Sequence, residues 1–337
     1  MAVLVTGGAG YVGSHTVRLL RELERSVVVL DSLESGHAAA VGDAPLVVGN
    51  VSDDRLVASI VAEHDVDAVV HFAGYKAAGE SMLHAGRYFI NNVAGTAQLL
   101  DSLHRCGVER LVFSSSCAVY GTPEGLPVGE SQPVRPESPY GETKALAERM
   151  LGWFGRCHGM RSVSLRYFNA AGAAEDGSIG EDPTVTMNLI PLVMQALLGR
   201  RPPVQVFGTD YPTPDGTAIR DYVHVDDLAD AHVRALDFLA KGGESTTVNV
   251  GTGVGSSVRE VLAAADAAAG RPVPAENAPR RAGDPVGLYA DNTLARELLG
   301  WEAHHDLADI VSSAWRWHAS NPDGYTSGTP AEPAGPT

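Results

Sequence analysis

Short runs of apolar and β-branched residues punctuate the first half of the chain: "AVLVTG", "SVVVLD", "PLVVGN", "DAVVHFAG", "RLVFSSS" and "RSVSLRYF". Their apolar positions are consecutive rather than alternate. That pattern predicts strands covered on both faces, and hence a parallel sheet. Helix-patterned stretches lie between them at 11–24, 53–64, 84–105 and 139–158. Strand–helix alternation of this kind predicts an α/β fold, a doubly wound parallel (Rossmann) sheet, over 1–170. After residue 170 the texture changes. "AAGAAEDGSIGEDP" is a Gly/Asp-rich loop, and "RRPPVQVFGTDYPTPDGTAIRDY" is Pro-rich and irregular. Helical patterns return at 225–240, 256–269 and 306–318, predicting a second, smaller α/β unit over 171–320. "NPDGYTSGTPAEPAGPT" is rich in Pro, Gly, Ser and Thr and reads as a flexible tail over 321–337.

The first strand–helix junction carries the most specific local signal. "VLVTGGAGYVGSHT" places Gly7, Gly10 and Gly13 between a strand and a helix. A tight turn there needs backbone angles that glycine tolerates. A pyrophosphate must also approach backbone N–H groups with no Cβ in the way, at the positive end of the helix. Asp31 ends the second strand in "VVVLDSL". A carboxylate there accepts from a ribose and repels a 2′-phosphate, and "DSLESG" holds no Arg or Lys to receive one, so NAD is favoured over NADP.

Composition narrows the field. The chain has 337 residues, 44% apolar, with 25 basic and 41 acidic side chains and a formal net charge of −16. Nothing in that balance offers a basic face for nucleic acid or an anionic membrane. An anionic ligand must then be met by a few local cations and helix N-termini. Cys106, Cys117 and Cys157 are an odd number at long spacings, read as reduced thiols in a cytoplasmic protein. No basic n-region with a long apolar run follows Met1, and no window approaches the roughly 18 apolar residues of a membrane span. Neither an H-x-x-x-H helix nor a carboxylate-rich loop argues for a metal. "AHHDL" reads as a polar loop, and His232 in "VHVDDLADAHVRALDFL" as structural.

"SPYGETK" begins at Ser138 and sets Tyr140 and Lys144 four residues apart, on one helix face. Ser138 suits the cap and Pro139 the first helical position. A free phenol titrates near 10. Bringing it toward 7 takes about three units, roughly 4 kcal/mol of differential stabilisation. A nearby ammonium favours phenolate, and an oxidised nicotinamide would add to it. Upstream, "LVFSSSCAVYG" places Ser114, Ser115 and Ser116 where a fifth strand should end. A hydroxyl there either faces the crevice at the carboxyl edge of the sheet or merely caps the strand. Ser116 could hold an oxygen undergoing oxidation against Tyr140.

With these motifs assembled, the chain resembles the extended short-chain dehydrogenases/reductases, and within them the UDP-glucose 4-epimerases (UDP-galactose 4-epimerases). The resemblance runs from residue 1 to about 325. It is carried by "VTGGAGYVGSHT", "VVHFAGYKAAGES", "NNVAGT", "FSSSCAVYG", "SPYGETK", "LRYFNAAGA", "VFGTDYPTPDGTAIRDYVHVDDLADAH" and "PRRAGD". It implies Tyr140 as acid/base, Lys144 as its electrostatic partner and Ser116 as the partner of the reacting hydroxyl. It implies an NAD site of Gly7, Gly10, Tyr11, Val12, Gly13, Asp31, Ser32, Asn50, Val51, Phe72, Ala73, Gly74, Lys76, Asn91, Ser114, Tyr140, Lys144 and Tyr167. It implies a UDP-sugar site of Ser116, Tyr140, Phe168, Asn169, Asn188, Leu189, Phe207, Arg220, Arg281, Asp284 and Leu288. In this family Asp is common where "VVGNVSD" has Asn50, whose amide oxygen can still accept from adenine. Leu288 sits at the family's gate to the sugar's C2 side and leaves the choice of sugar open. The expected reaction interconverts UDP-glucose and UDP-galactose through a 4-keto sugar, with tightly bound NAD and a homodimer assembled through two helices of the first unit. A 4-epimerase of a UDP-N-acetylhexosamine or UDP-pentose, or a non-catalytic NAD-binding protein, are the alternatives. A nucleotide-sugar 4,6-dehydratase would want an Asp-Glu pair where "CAVYG" stands. A uronate enzyme would want a further cation.

Overall fold

In the computed structural model, residues 1–184, 188–281 and 284–325 are described. Six parallel strands come from the first half: β1 (Ala2–Thr6), β2 (Val27–Asp31), β3 (Leu46–Val48), β4 (Val66–His71), β5 (Arg110–Ser116) and β6 (Arg161–Tyr167). A seventh, Thr246–Val250, pairs with β6. The sheet runs, from that seventh strand, β6, β5, β4, β1, β2, β3, all pairs parallel.

Consecutive apolar residues are explained by two buried faces. Val3, Val5, Val27 and Val29 point into one core, and Leu4, Val28 and Leu30 into the other. Helix α1 (Tyr11–Glu22) lies over the first face. The second is covered by α2 (Asp54–His64), α5 (Gly95–Arg105) and α6 (Pro139–His158). The stretch expected as one helix over 84–105 is interrupted. After α3 (Ala78–Leu83) come α4 (Ala85–Tyr88) and a π turn at Phe89–Ala94, which leads into α5.

The remaining helices are α7 (Leu189–Leu197), α8 (Val225–Ala240), α9 (Val258–Ala269), α10 (Thr293–Leu299) and α11 (Leu307–Ser320). Apolar faces of α7, α9 and α11 form a separate core around Ile190, Val193, Val261, Ile310 and Ala314. Helix α8 packs instead on α1, and Leu228, Ala231 and Ala235 join the first core with Trp301. The chain therefore crosses between the two units more than once, where the sequence reading draws one division at residue 170. The seventh strand covers the edge that β6 would otherwise leave open, which is the physical reason for that return. The expected tail over 321–337 also needs correcting in its first residues. Tyr325 is packed against Trp317 and hydrogen-bonded to Gly180, so Asn321–Tyr325 belongs to the fold, while 326–337 lie outside the described residues. Among the described residues no helix is long and apolar enough to cross a membrane.

Candidate active site

Strand β1 pairs with β2 on one side and β4 on the other, so the winding reverses there and a crevice opens at the carboxyl ends of β1 and β4. Gly7 follows β1 at φ +72°, and a Cβ on it would stand 2.5 Å from the Ala73 nitrogen that follows β4. The two loops close to this distance only because Gly7 has no side chain. Helix α1 then starts at Gly10 without a side-chain cap and with no acid in its first turn. Its unpaired N–H groups are available to an anion.

The crevice holds a cavity of about 420 Å³. Of the expected cofactor residues, Gly7, Gly10, Tyr11, Val12, Gly13, Asp31, Ser32, Asn50, Val51, Phe72, Ala73, Gly74, Lys76, Asn91, Tyr140, Lys144 and Tyr167 all line it. Ser114 does not. Its hydroxyl donates to the Tyr167 oxygen at 3.0 Å and its carbonyl takes the Lys144 ammonium at 2.8 Å. Asp31 is held at the wall by backbone donors, Ala9 N at 2.9 Å and Leu33 N at 2.8 Å. The Asn50 oxygen already accepts from Ser52 N and Oγ at 3.0 and 2.8 Å. Arg87 is a cation that "DSLESG" could not reveal. It reaches this end from α4 but is held by Glu34 at 2.6 Å and Glu80 at 2.8 Å.

At the other end, α6 begins as its sequence requires. The Ser138 hydroxyl accepts from Gly141 N, and Pro139 occupies the first turn. Tyr140 and Lys144 are both buried. Burial pulls the ammonium down to about 8, and the Glu148 carboxylate pushes it back up. The phenol behaves against expectation. In the chain alone burial drives the Tyr140 phenol well above 10, and only a hydrogen bond with Ser116 acts to lower it. Lys144 Nζ lies 5.9 Å from the Tyr140 ring centre and is engaged by the Ser114 carbonyl. The ammonium alone therefore does not offset desolvation of the phenolate. Ser116 caps the following turn, accepting from Ala118 N at 3.2 Å, and also bonds Tyr140.

Of the expected sugar-side residues only Tyr140 lines this cavity, and most of the others lie in smaller pieces of structure. Phe168 and Leu288 pack with Cys117 and Tyr120 under the serine turn. Leu288 is the register partner of Arg220. Arg220 is ion-paired with Asp284 and donates to the Pro285 carbonyl at 3.0 Å. Arg281 stacks on Phe207, its guanidinium 3.8 Å from the ring centre. Asn169 donates its N–H to the Asp221 carbonyl, and Asn188 stands at the N-cap position of α7, its side-chain amide donating to Glu181 at 3.1 Å.

Several contributors had no readable signal. Asn92, beside Asn91, is buried and accepts from Tyr75 N while donating to Thr143 of α6, tying the Gly74 loop to the catalytic helix. His37, Glu181, Asp182 and Tyr325 also line the cavity. His37 bonds Asp182 at 2.6 Å and stacks on Tyr325 at 4.6 Å, while Lys76 pairs with Glu181 at 3.2 Å. The acidic loop "SIGEDP" was visible only as a loop.

With this geometry described, the likeness to known proteins can be stated. The family described as "NAD dependent epimerase/dehydratase family" matches residues 3–251. The chain belongs to this family. Among its members, a UDP-glucose 4-epimerase of Halalkalibacterium halodurans is 48% identical over 328 residues, 97% of this chain and 98% of that protein. The solved UDP-glucose 4-epimerase of Brucella ovis in complex with NAD superposes with a TM-score of 0.92 at 45% identity, covering 93% of this chain and 97% of that one. That of Stenotrophomonas maltophila, with bound NAD and formylated UDP-arabinopyranose, gives a TM-score of 0.93 at 42% identity, covering 96% and 99%. Family membership accounts for both halves of the site, a dinucleotide crevice meeting a Tyr–Lys helix.

Proposed function

We propose that the protein interconverts UDP-glucose and UDP-galactose at C4, with NAD as a resident cofactor. The observation that carries this reading is the convergence of Tyr140, Lys144 and Ser116 at one end of the crevice whose other end is Asp31. The residues fit a dinucleotide. A Cβ would fill the cradle at Gly7, the start of α1 is uncapped, and Asp31 waits at the strand end.

When bound, NAD supplies a reversible hydride acceptor for the sugar carbon, giving a 4-keto sugar that can be reduced on its other face. The chain's own residues do the rest. Tyr140 takes the proton of the 4′-hydroxyl and returns it, and Ser116 orients that hydroxyl. Lys144 would hold the nicotinamide ribose, and its ammonium together with a bound cofactor's positive charge would favour the phenolate that burial alone disfavours. Arg220 and Arg281 grip the diphosphate far from the reacting carbon, where a guanidinium can bond two phosphate oxygens. Such a remote grip lets the sugar swing while the nucleotide stays held.

The exposed apolar side chains Met82, Leu83, Ile90 and Trp153 support pairing with a second copy. Three unpaired thiols support a cytoplasmic location. Acceptance of a UDP-pentose or UDP-N-acetylhexosamine is the second reading, left open by Leu288 at the gate and supported on the pentose side by the sugar nucleotide in the Stenotrophomonas structure.

The test is conversion of UDP-galactose to UDP-glucose by purified protein with no NAD added, run beside UDP-arabinopyranose and UDP-N-acetylglucosamine. No conversion of any sugar by protein that carries cofactor would sink the proposal. Tyr140→Phe is expected to keep bound NAD and lose about 10²–10⁴-fold in kcat, the range for a missing acid/base.

A further inference from the structure

Helix α6 carries a third polar residue in line with Tyr140 and Lys144. Glu148 lies one turn beyond Lys144 on the same face and outside the cofactor cavity. Its side chain is only 10% exposed. One carboxylate oxygen accepts from Ser115 Oγ at 2.6 Å and Arg166 Nε at 2.9 Å, and the other from Arg166 Nη2 at 2.5 Å.

Ser115 and Arg166 are register partners on β5 and β6. Successive side chains of a strand point to opposite faces. Ser114, Ser116 and Tyr167, the neighbours of that pair, therefore face away from Glu148. The Ser116 hydroxyl bonds Tyr140 and the Tyr167 oxygen receives the Ser114 hydroxyl, while Lys144, from the α6 side, donates to the Ser114 backbone carbonyl. One carboxylate thus ties β5 to β6 from the α6 side, at residues next to those that hold Tyr140 and Lys144.

Arg166 passes the connection on to Tyr120 at 2.9 Å, and Tyr120 donates to Asn249 at 2.7 Å. Asn249 in turn donates to the Val128 carbonyl, whose own N–H bonds Tyr289, next to Leu288.

We propose that Glu148 is a positioning residue for the epimerisation: from the α6 side of the sheet it fixes the serine turn and the ammonium of Lys144. The inference rests on the reading above and deepens it.

Burial and Glu148 act on Lys144 in opposite directions. The other titratable groups around it cannot replace that carboxylate. His71 of β4 and His232 of α8 are pulled down to about 3 and about 4 by burial and stay neutral. Tyr140 of α6 and Tyr167 of β6 are pushed up as phenols, and Arg166 of β6 is a cation.

The experiment uses the full chain with its cofactor and three proteins: unsubstituted, Glu148→Gln and Ser115→Ala. Glu148→Gln is expected to keep bound NAD and a KM for UDP-galactose within about twofold, and to lose about 10–100-fold in kcat, as displaced catalytic groups do. Its alkaline limb of kcat moves to lower pH by about one unit, because Lys144 loses its counter-charge. A residue of purely architectural importance would lower stability and leave that limb in place. Ser115→Ala keeps the carboxylate and loses only the hydroxyl tie, so kcat falls while the limb stays. A folded Glu148→Gln protein with the unsubstituted alkaline limb overturns the inference. Should that variant not fold, unsubstituted kcat in Ser115→Ala overturns it. Absence of turnover in the unsubstituted protein would instead count against the proposed reaction.

Discussion

Arg220 enters the proposed reaction already occupied. Its guanidinium is paired with Asp284 and bonded to two carbonyls, Ile219 and Pro285. It is therefore oriented before any phosphate arrives, and a ligand trades against contacts already in place. Arg220→Ala is expected to raise KM for UDP-galactose about 10–100-fold, the range for a lost charged hydrogen bond, with a much smaller change in kcat. Steady-state kinetics separate the two, and an unchanged KM would remove Arg220 from the diphosphate grip. At this scale the glycines, Asp31, Tyr140 and Lys144 were legible because their chemistry is local: a turn, a strand end, one helical repeat. Asn92, Glu148 and Tyr325 were not. Their partners lie 17, 33 and 145 residues away, and no short pattern announces such a meeting. The Tyr140–Lys144 pairing was legible, but the depth of the phenol was not, since spacing says nothing of burial.

Helix ends were the most legible elements. Ser138 and Pro139 start α6 at the expected residue, and α8 keeps the expected bounds at Val225–Ala240. Helix α11 begins with a capping box in which Asp306 accepts from Asp309 N and Asp309 accepts from Asp306 N. Its Trp317 donates to the Glu181 carbonyl, so this helix also holds a loop of the cavity wall. Asp306→Ala is expected to cost about 1 kcal/mol, the usual worth of an N-cap. A urea midpoint lowered at constant slope would show it, and an unchanged midpoint would mean that the helix end is held by packing alone. Less was readable where elements are short. The strands Ile219–Arg220, Ser256–Ser257 and Gly287–Leu288 pair over two residues each, too few for any period to appear. The π turn at Phe89–Ala94 was hidden as well, because one extra residue in a helix leaves composition unchanged. It brings Asn91 to the cavity and Asn92 beneath it.

For the molecule as a whole, acid should be the weak side. His71, His224, His232 and His318 are buried, with the first pulled to about 3 and the others to about 4 by loss of solvation. Unfolded, each takes a proton near pH 6.5. Between roughly pH 6.5 and 4 the unfolded chain binds more protons, so stability is full above that window and declines as pH falls through it. Thermal midpoints measured from pH 8 to 4 should be level and then descend from about 6.5; a level course down to 4 would contradict this. The parallel sheet was legible at this scale, but its seventh strand and the closing contact of Tyr325 were not, since both depend on distant chain returning. That contact joins three regions, His37 after β2, Gly180 in the acidic loop and Trp317 of α11. Tyr325→Ala is expected to lose NAD during gel filtration while matching the unsubstituted kcat when NAD is supplied in excess; full retention would show that the ring closes nothing. On a ribosome, Gly7 and Asp31 emerge long before Tyr325. The crevice wall is therefore complete only when Tyr325 has folded back against residues made far earlier.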